Sequence, residues 1–173
     1  MAEQMILVDE NDVPIGTAEK MAVHRAGMLH RAFSVFVFHP DGRLLMQRRA
    51  DGKYHSPGLW SNSACGHPRP GEDTCAAARR RLGEELGLDL KLEHAFSFTY
   101  RVQLGDLWEH EFDHVFVAQS DDQPVPDASE VGAWEWADVD DVMRRMESEP
   151  GTFTEWFPIA MRELHVRGYA TGV

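Results

Sequence analysis

The sequence has few cysteines, few basic residues and no long apolar run. Its two cysteines, Cys65 and Cys75, are too few for a disulfide framework, and no secretory leader is recognisable, so we expect a reducing cytoplasm as the location. No run approaches the roughly 18 apolar residues that a membrane-spanning helix needs, so we expect no membrane partner. The chain also lacks internal repeats and low-complexity tracts, and we predict a single domain over residues 1–173.

Acidic residues outnumber basic ones by 29 to 17, which gives a formal net charge of −12 at pH 7. Such a chain lacks the basic face of a general nucleic-acid-binding protein, so we expect no nucleic-acid partner. Seven of the 17 basic residues nevertheless fall between residues 48 and 81: Arg48, Arg49, Lys53, Arg69, Arg79, Arg80 and Arg81. This basic cluster predicts a small anionic ligand; the alternative is a solvated surface with scattered ion pairs.

Residue patterns and turn signals predict a mixed α/β (α+β) fold. Strands are predicted from residue 5 and over residues 33–38, 44–48, 96–102, 108–118 and 134–136, with turns at residues 11–14, 39–42 and 105–106. Helices are predicted over residues 73–86, 139–146 and 155–166, with Thr154 as a possible cap of the last one. Residues 50–71 are rich in glycine and proline, and we expect them to be mostly loop.

The helix predicted over residues 73–86 has recognisable signals at both ends. Asp73 or Thr74 is a suitable N-cap, and Gly87 is a suitable C-terminal stop. Gly83 lies inside the helix, where glycine costs about 1 kcal/mol relative to alanine. We therefore expect another backbone or a ligand to approach the helix closely at Gly83.

Three acidic residues, Glu109, Glu111 and Asp113, alternate along one predicted strand. Alternation places their side chains on the same face, where carboxylates repel one another unless a cation or a shared proton lies between them. The alternative is a solvent-facing polar stripe on an edge strand. Carboxylate together with imidazole suits Zn²⁺, Mn²⁺ or Fe²⁺, and Mg²⁺ with less preference for nitrogen. The candidate imidazole ligands are His24, His30 and His67.

A longer motif extends from residue 66 to residue 88 and consists of Gly66, Glu72, Arg80, Glu84, Glu85 and Gly87 at fixed spacings. It resembles the Nudix box, Gly-x5-Glu-x7-Arg-Glu-apolar-x-Glu-Glu-x-Gly-apolar, except that Arg81 stands where the box has a glutamate. The string Cys65-Gly66-His67 adds a thiol and an imidazole that a Nudix hydrolase does not need. The lost acid and the added groups predict a Nudix scaffold with different chemistry.

Further segments, at residues 19–24, 29–34, 60–68, 100–101 and 108–111, resemble the type I isopentenyl diphosphate isomerases of the Nudix superfamily. The most specific of them is the string Asn-Ser-x-Cys-Gly-His-Pro, and Arg81 is also the family's own departure from the Nudix box. The resemblance covers nearly the whole chain. It implies a Nudix-type mixed β-sheet sandwich flanked by helices, and the interconversion of isopentenyl diphosphate and dimethylallyl diphosphate in isoprenoid biosynthesis.

The resemblance further implies two metal sites. One Mn²⁺ or Mg²⁺ ion would be held by His24, His30, His67, Glu109 and Glu111. A second Mg²⁺, arriving with the substrate diphosphate, would be held by Glu85 and by the backbone carbonyl of Cys65.

The resemblance also implies roles around the substrate. Cys65 and Glu111, with Tyr100 beside Glu111, would handle protons on opposite faces of the five-carbon chain. Trp156 would lie over the hydrocarbon, where an aromatic ring face stabilises positive charge. The diphosphate would be contacted by Lys20, Arg49, Lys53 and Arg81. We expect a monomer or a weak homodimer whose ligand is this small molecule.

Two other functions remain open at this point. A Nudix hydrolase acting on a nucleoside diphosphate would want an acid at position 81 and would leave Cys65 unexplained. A non-catalytic metal-binding or regulatory Nudix module would bind metal without turning over any diphosphate. Three nearby residues receive no role: Glu84, Asp113 and His114.

Overall fold

The computed structural model describes residues 2–169, so residue 1 and residues 170–173 of the predicted domain lie outside the described residues. Within residues 2–169 the chain forms nine strands: β1 (Gln4–Val8), β2 (Pro14–Glu19), β3 (His30–Phe38), β4 (Leu44–Arg49), β5 (Trp60–Ser61), β6 (Ala64–Gly66), β7 (Glu93–Leu104), β8 (Leu107–Gln119) and β9 (Val131–Ala137). The same residues form four α-helices: α1 (Lys20–Ala26), α2 (Thr74–Leu86), α3 (Val139–Ser148) and α4 (Trp156–Val166). No helix in this part of the chain is long and apolar enough to cross a membrane.

The nine strands described here belong to one mixed sheet. Strand β3 pairs antiparallel with β1, β4 and β6, and parallel with β8. Strand β7 forms a long antiparallel hairpin with β8, while β5 and β9 pair with β4 and β2 pairs with β1. The parallel pairing of β3 and β8 is the one that brings distant parts of the sequence together at the site described below.

Helices cover both faces of the sheet. Side chains that alternate along β3 pack against different helices on the two faces. Phe36 packs in one hydrophobic cluster with residues of α3 and α4, including Phe157. Phe33 and Val35 pack in a second cluster with residues of α2, including Leu82. Alternating side chains point to opposite faces of a strand, so an apolar run such as β3 indicates a strand that is buried on both faces. The predicted α+β class, with a mixed sheet flanked by helices, is confirmed.

Helix α2 begins and ends where its capping residues predict. The side chain of Asp73 accepts a backbone hydrogen bond from the first turn, and Gly87 adopts a left-handed φ of 66° with its N–H bonded to the carbonyl of Gly83. The close backbone approach expected as one possibility at Gly83 is wrong, because a β-carbon there would lie 3.7 Å from the carbonyl oxygen of Leu88, an ordinary contact. The crowded position is Gly87, where a β-carbon would lie 2.7 Å from the carbonyl oxygen of Val125.

The sequence patterns do not predict α1, β2, β5 or β6. Helix α1 lacks a preferred cap residue: its N-cap is Glu19, whose side chain accepts hydrogen bonds from the N–H groups of Met21 and Ala22. Residues 50–71 are mostly loop, as predicted, and β5 and β6 are two short strands within them. These two strands are too short for an alternating pattern to be recognised, and pairing with β4 and β3 fixes them instead.

The predicted cap of the last helix is also wrong. Helix α4 has Glu155 as its N-cap residue, and Glu155 makes no side-chain capping hydrogen bond. The side chain of Thr154 is fully buried, and its hydroxyl lies 2.9 Å from the hydroxyl of Ser61. The Thr154 hydroxyl therefore links β5 to the start of α4 and does not cap the helix.

Candidate metal centre and active site

The register of β3 against β8 places His30 opposite Glu111. Along β8 the side chains of Glu109, Glu111 and Asp113 alternate, and all three are buried. Strand β8 lies between β3 and β7. The alternative of a solvent-facing stripe on an edge strand is therefore wrong.

Two further histidines reach the same place from other elements. His24 lies in the last turn of α1, which packs against β8. His67 directly follows β6, which pairs with β3 next to His30. As a result, His24, His30, His67 and Glu109 offer ligand atoms that all lie within 4.8 Å of one another. This set, here named the His/Glu group, could hold a metal ion.

Hydrogen bonds behind the His/Glu group orient two of its imidazoles. Nδ1 of His24 lies 2.7 Å from the carbonyl oxygen of Lys20, and Nδ1 of His30 lies 2.9 Å from that of Met28. Because a carbonyl can only accept, both Nδ1 atoms carry the hydrogen. In the neutral rings, the two Nε2 atoms therefore present lone pairs toward the interior of the group, as metal-ligating histidines do.

The interior of the His/Glu group has unmet hydrogen-bonding capacity. Among the described residues, Nε2 of His24 and Oε2 of Glu109 are buried without a hydrogen-bond partner. Nε2 of His24 lies 3.3 Å from Oε1 of Glu109, a contact that lacks hydrogen-bond geometry, and Nε2 of His30 lies 3.3 Å from Nε2 of His67. Buried polar atoms without partners cost free energy, which a cation bound to their lone pairs would offset. The nitrogen and oxygen donors thus fit a divalent ion.

Burial and mutual repulsion set the ionisation of the carboxylates. Burial, and then the charge of Glu111, raise the pKa of Glu109 to about 7. Burial also opposes ionisation of Glu111, but its contacts with His30 and His67 outweigh burial and hold its pKa well below the usual range. Burial lowers the pKa of His67 to about 4, so this imidazole is neutral at pH 7. Near pH 7 Glu109 is therefore about half protonated, whereas Glu111 is ionised.

Glu111 borders the His/Glu group and connects it with Tyr100. Its Oε1 lies 3.1 Å from Nε2 of His67 and 3.7 Å from Nε2 of His30. Its Oε2 accepts a 2.7 Å hydrogen bond from the hydroxyl of Tyr100. Burial, together with the charge of Glu111, raises the pKa of Tyr100 well above its ordinary value, so the phenol keeps its proton.

Asp113 shares the face of Glu109 and Glu111 but does not join the His/Glu group. Its Oδ2 accepts a 2.7 Å hydrogen bond from the hydroxyl of Ser34. Burial, and then the charge of Glu111, raise the pKa of Asp113 well above its ordinary value, which favours the neutral acid. Asp113 therefore adds little negative charge beside Glu109 and Glu111.

The His/Glu group forms one side of a cavity of about 320 Å³. Beyond Glu109 and His67, the cavity is lined by most of the residues that the sequence assigns to the site: Lys20, Arg49, Lys53, Cys65, Arg81, Glu85, Tyr100, Glu111 and Trp156. The side chains of His24 and His30 are fully buried and do not line the cavity themselves. The structure thus brings the predicted metal, proton-transfer and substrate residues into one place.

The basic cluster divides between the cavity and the surface. Arg49, Lys53, Arg69, Arg80 and Arg81 line the cavity. Arg49 is 9% exposed, donates to the carbonyl of His55 at 3.3 Å and stacks its guanidinium 5.5 Å from the Trp156 ring. Arg79, by contrast, pairs with Asp89 on the exposed surface at 2.6 Å. Much of the cluster therefore lines the cavity, where several of its members pair with acidic residues.

This chain is similar to known proteins both in sequence and in fold. Residues 28–157 match the NUDIX domain family. Isopentenyl-diphosphate Delta-isomerase 2 of Aromatoleum aromaticum is 52% identical over 177 residues, which cover 98% of this chain and 94% of that protein. The isopentenyl-diphosphate Delta-isomerase of Burkholderia multivorans is 53% identical over 158 residues, covering 91% and 90% respectively. The chain belongs to the isopentenyl-diphosphate Delta-isomerase family.

The family assignment confirms the resemblance seen in the sequence. The crystal structure of DR0079 from Deinococcus radiodurans superposes with a TM-score of 0.80 at 22% identity, over 93% of this chain and 98% of that one. This likeness shows the fold alone; the match to the NUDIX domain family is what confirms the predicted Nudix-type architecture. An isomerase family, rather than a family of nucleoside diphosphate hydrolases, also accounts for the Cys-Gly-His string and for Arg81.

In this isomerase-family member, Cys65 lies on β6 opposite Ser34 of β3 and is partly exposed to the cavity. Burial, and then the charges of Glu85 and Glu111, raise the pKa of its thiol to about 12. The thiol is therefore protonated at pH 7. Cys75, the other cysteine, lies on α2 and does not line the cavity.

The residue that departs from the hydrolase box, Arg81, lies at the centre of the ion pairs beside the cavity. Its guanidinium donates to Glu84 and to Glu85, each at 2.7 Å. Gly66 makes room for this side chain, because a β-carbon there would lie 3.3 Å from Cγ of Arg81 and 3.0 Å from the Phe33 ring. An arginine among these acids stabilises their negative charge through charge-assisted hydrogen bonds.

Sequence reasoning missed several residues of the cavity region. His55 lines the cavity, with its ring edge against Trp156 and its Nε2 4.0 Å from Oε1 of Glu109. Gln47 donates to Oε2 of Glu85 at 2.5 Å. Glu130 lines the cavity and contacts Lys53. His55 could have been suspected from its place beside Lys53, whereas Gln47 and Glu130 belong to no motif.

Two residues without a role in the sequence prediction are engaged in ion pairs. Glu84 accepts hydrogen bonds from Arg80 and Arg81 at the rim of the cavity. His114 lies 2.9 Å from Oδ2 of Asp12, on a different surface from the cavity. Neither side chain belongs to the His/Glu group.

Proposed function

We propose that this protein interconverts isopentenyl diphosphate and dimethylallyl diphosphate, and so shifts a carbon–carbon double bond from position 3 to position 2 in isoprenoid biosynthesis. Family membership supports this activity. The observation that carries the proposal is that a protonated thiol, Cys65, and an ionised carboxylate, Glu111, line the same cavity as Arg49 and Lys53. Cys65 must stay a free thiol, as it is here, which supports the reducing cytoplasm as the location.

We propose that one divalent ion, Mn²⁺ or Mg²⁺, is held by His24, His30, His67, Glu109 and Glu111. Such an ion supplies positive charge that keeps both carboxylates ionised and fixes their positions. A second Mg²⁺ is proposed to accompany the substrate diphosphate, held by Glu85 and the backbone carbonyl of Cys65. The buried lone pairs of His24 and Glu109 support the first site.

The double-bond shift requires one proton to be added at C4 of isopentenyl diphosphate and another to be removed from C2. Addition leaves a tertiary carbocation at C3, and removal of the C2 proton neutralises it as the new double bond forms. Cys65 begins with a proton and Glu111 without one, so the two groups start in the opposite states that a two-site transfer needs. Tyr100 holds Glu111 in place and offers its own hydroxyl proton next to that carboxylate.

The rest of the cavity binds and shields the substrate. The proposed diphosphate contacts are Lys20, Arg49, Lys53 and Arg81, whose charges match the anionic end. Trp156 is 5% exposed and lies in the cavity wall, where its ring can face the hydrocarbon. A ring face there stabilises the carbocation, which must be kept away from water that would trap it.

Phosphorus NMR distinguishes this proposal from hydrolysis. The protein would be incubated with Mg²⁺ and either isopentenyl diphosphate or a nucleoside diphosphate. The proposal predicts that the phosphorus signals of isopentenyl diphosphate shift to those of the allylic diphosphate, with no inorganic phosphate in either sample. Phosphate release from the nucleoside diphosphate would instead support a Nudix hydrolase, and metal binding without any turnover would support a non-catalytic module.

A further inference from the structure

One carboxylate oxygen of Glu130, an acid that lines the cavity, contacts two cations. Its Oε2 accepts a hydrogen bond from Nζ of Lys53 and lies 3.3 Å from a guanidinium nitrogen of Arg81. Both cations belong to the proposed diphosphate contacts. One carboxylate oxygen between these two cations occupies the kind of position that a phosphate oxygen takes between an arginine and a lysine.

The backbone around Glu130 fixes where this carboxylate lies. The N–H of Glu130 donates to the carbonyl of Asp127, and its own carbonyl accepts from the N–H of Ala50, both at 3.0 Å. Glu130 directly precedes β9, and Ala50 directly follows β4. Because β4 and β9 are paired, the side chain of Glu130 is anchored to the same sheet as Arg49.

Glu130 is charged at neutral pH. Burial opposes its ionisation, but the hydrogen bond from Lys53 and the charge of Arg81 outweigh burial and lower its pKa. The side chains of Glu130 and Lys53 are 25% and 21% exposed, so their attraction is only partly screened by water. A diphosphate that approaches Lys53 and Arg81 therefore meets a like charge already bound to them.

Arg49 differs from Lys53 and Arg81 in that it has no acidic partner among the described residues. Within residues 2–169 it forms no ion pair with an acid, and its Nε is buried without a hydrogen-bond partner. Arg49 is thus available to an anion directly, whereas Lys53 and Arg81 must first exchange or share the carboxylate of Glu130.

We propose that Glu130 is a positioning residue that holds Lys53 and Arg81 in place and competes with the diphosphate for them. This inference rests on the proposed function, since it takes these cations to be diphosphate contacts. Substrate and product carry the same diphosphate, so competition by Glu130 weakens the binding of both equally. The expected benefit is faster product release, at the expense of a higher KM.

The test is the affinity for inorganic pyrophosphate, measured by calorimetry with EDTA present, so that metal does not contribute. Glu130→Gln removes the charge but keeps the shape, and should bind pyrophosphate about tenfold more tightly than the wild type. The matched control is Asp12→Asn, which removes an equally buried carboxylate paired with Arg31, away from the cavity. Asparagine tolerates the positive φ of 64° at this position, and the control should change the affinity by less than about twofold.

Steady-state kinetics provide the second readout. Glu130→Gln should lower KM for isopentenyl diphosphate without raising kcat, because tighter product binding slows release. Unchanged or weaker pyrophosphate binding by a variant that melts like the wild type would overturn the inference. If Glu130→Gln does not fold, Glu130→Asp tests the same point, since a carboxylate withdrawn by one methylene should still tighten binding.

Failure of the proposed function has a different signature. In that case the wild type would leave isopentenyl diphosphate unchanged in the phosphorus NMR assay, whatever its affinity for pyrophosphate. If the wild type binds pyrophosphate and Glu130→Gln binds it no more tightly, only the role proposed for Glu130 is contradicted.

Discussion

Tyr100 and Glu111 lie directly opposite each other in the β7–β8 hairpin, and the hydroxyl of Tyr100 donates a 2.7 Å hydrogen bond to Oε2 of Glu111. Both side chains are more than nine-tenths buried. The other oxygen of Glu111 faces His67. This carboxylate therefore lies between a proton-bearing phenol and the proposed metal ligands, so its charge and orientation depend on both.

Tyr100→Phe tests the phenol. The substitution keeps the ring in the buried site but removes the hydroxyl that orients Glu111, so kcat should fall by about 10- to 100-fold while metal content stays unchanged. Steady-state kinetics and metal analysis on the same preparation measure both quantities. An unchanged kcat would exclude a role for the hydroxyl, and lost metal would mean that Tyr100 acts through the metal site instead.

Cys65→Ser should abolish most turnover while metal is retained, because the thiol is proposed to transfer a proton and the metal contact is through the backbone. A loss of about 10²- to 10⁴-fold in kcat is expected for removal of a proton-transfer group. Cys75→Ser is the matched control, since Cys75 lies outside the cavity, and it should keep wild-type rates. Wild-type kcat in Cys65→Ser would rule out the proposed role.

Glu109→Gln should weaken metal retention, because it removes a buried carboxylate ligand from the His/Glu group. Loss of a group that only supports a ligand costs about 10- to 100-fold in metal affinity, so the dissociation constant for Mn²⁺ should rise by at least that much. Calorimetric titration with Mn²⁺ measures it, with Glu135→Gln on β9 as a control that removes a charge paired with Arg145. Full metal occupancy of Glu109→Gln after dialysis would contradict the assignment.

Metal affinity should depend on pH through the same residue. Glu109 has a pKa of about 7, and binding requires its ionised form, so below pH 7 a proton competes with the metal. His24 acts in the same direction: burial opposes its protonation, but Glu109 outweighs burial and raises its pKa. His67, with a pKa of about 4, adds nothing between pH 5.5 and 7. Mn²⁺ affinity should thus fall by at least about tenfold per pH unit below 6.5, and level off above pH 7.5.

A pH-independent Mn²⁺ affinity between pH 5.5 and 8 would contradict this ionisation scheme. Glu109→Gln again provides the control, since its affinity should depend less steeply on pH than that of the wild type.

Local signals in the sequence predict much of the fold. Helix α2 begins after Asp73 and ends before Gly87 because capping is decided by a few neighbouring residues. Helix α1 was not predictable in the same way, since its cap is Glu19, a residue that seldom caps helices. Thr154 was mispredicted for a related reason: its hydroxyl could cap a helix, but it instead hydrogen-bonds with Ser61, which lies on a strand distant in sequence.

The site depends more strongly on contacts between distant residues. Alternation along β8 predicts that Glu109 and Glu111 share a face, but it does not predict that His30 lies opposite Glu111, which depends on the parallel register of β3 and β8. The family resemblance, not residue spacing, brought the histidines and carboxylates together in the prediction. Glu130 had no such guide, because it belongs to no motif and reaches the cavity only through the pairing of β4 with β9.

The most direct test of the proposed function is proton NMR of the purified protein in D₂O with Mg²⁺ and isopentenyl diphosphate. The proposal predicts that the signals of dimethylallyl diphosphate appear and that a methyl group gains deuterium, because solvent protons exchange through Cys65 and Glu111. An unchanged spectrum from folded, metal-loaded protein would contradict the isomerase proposal.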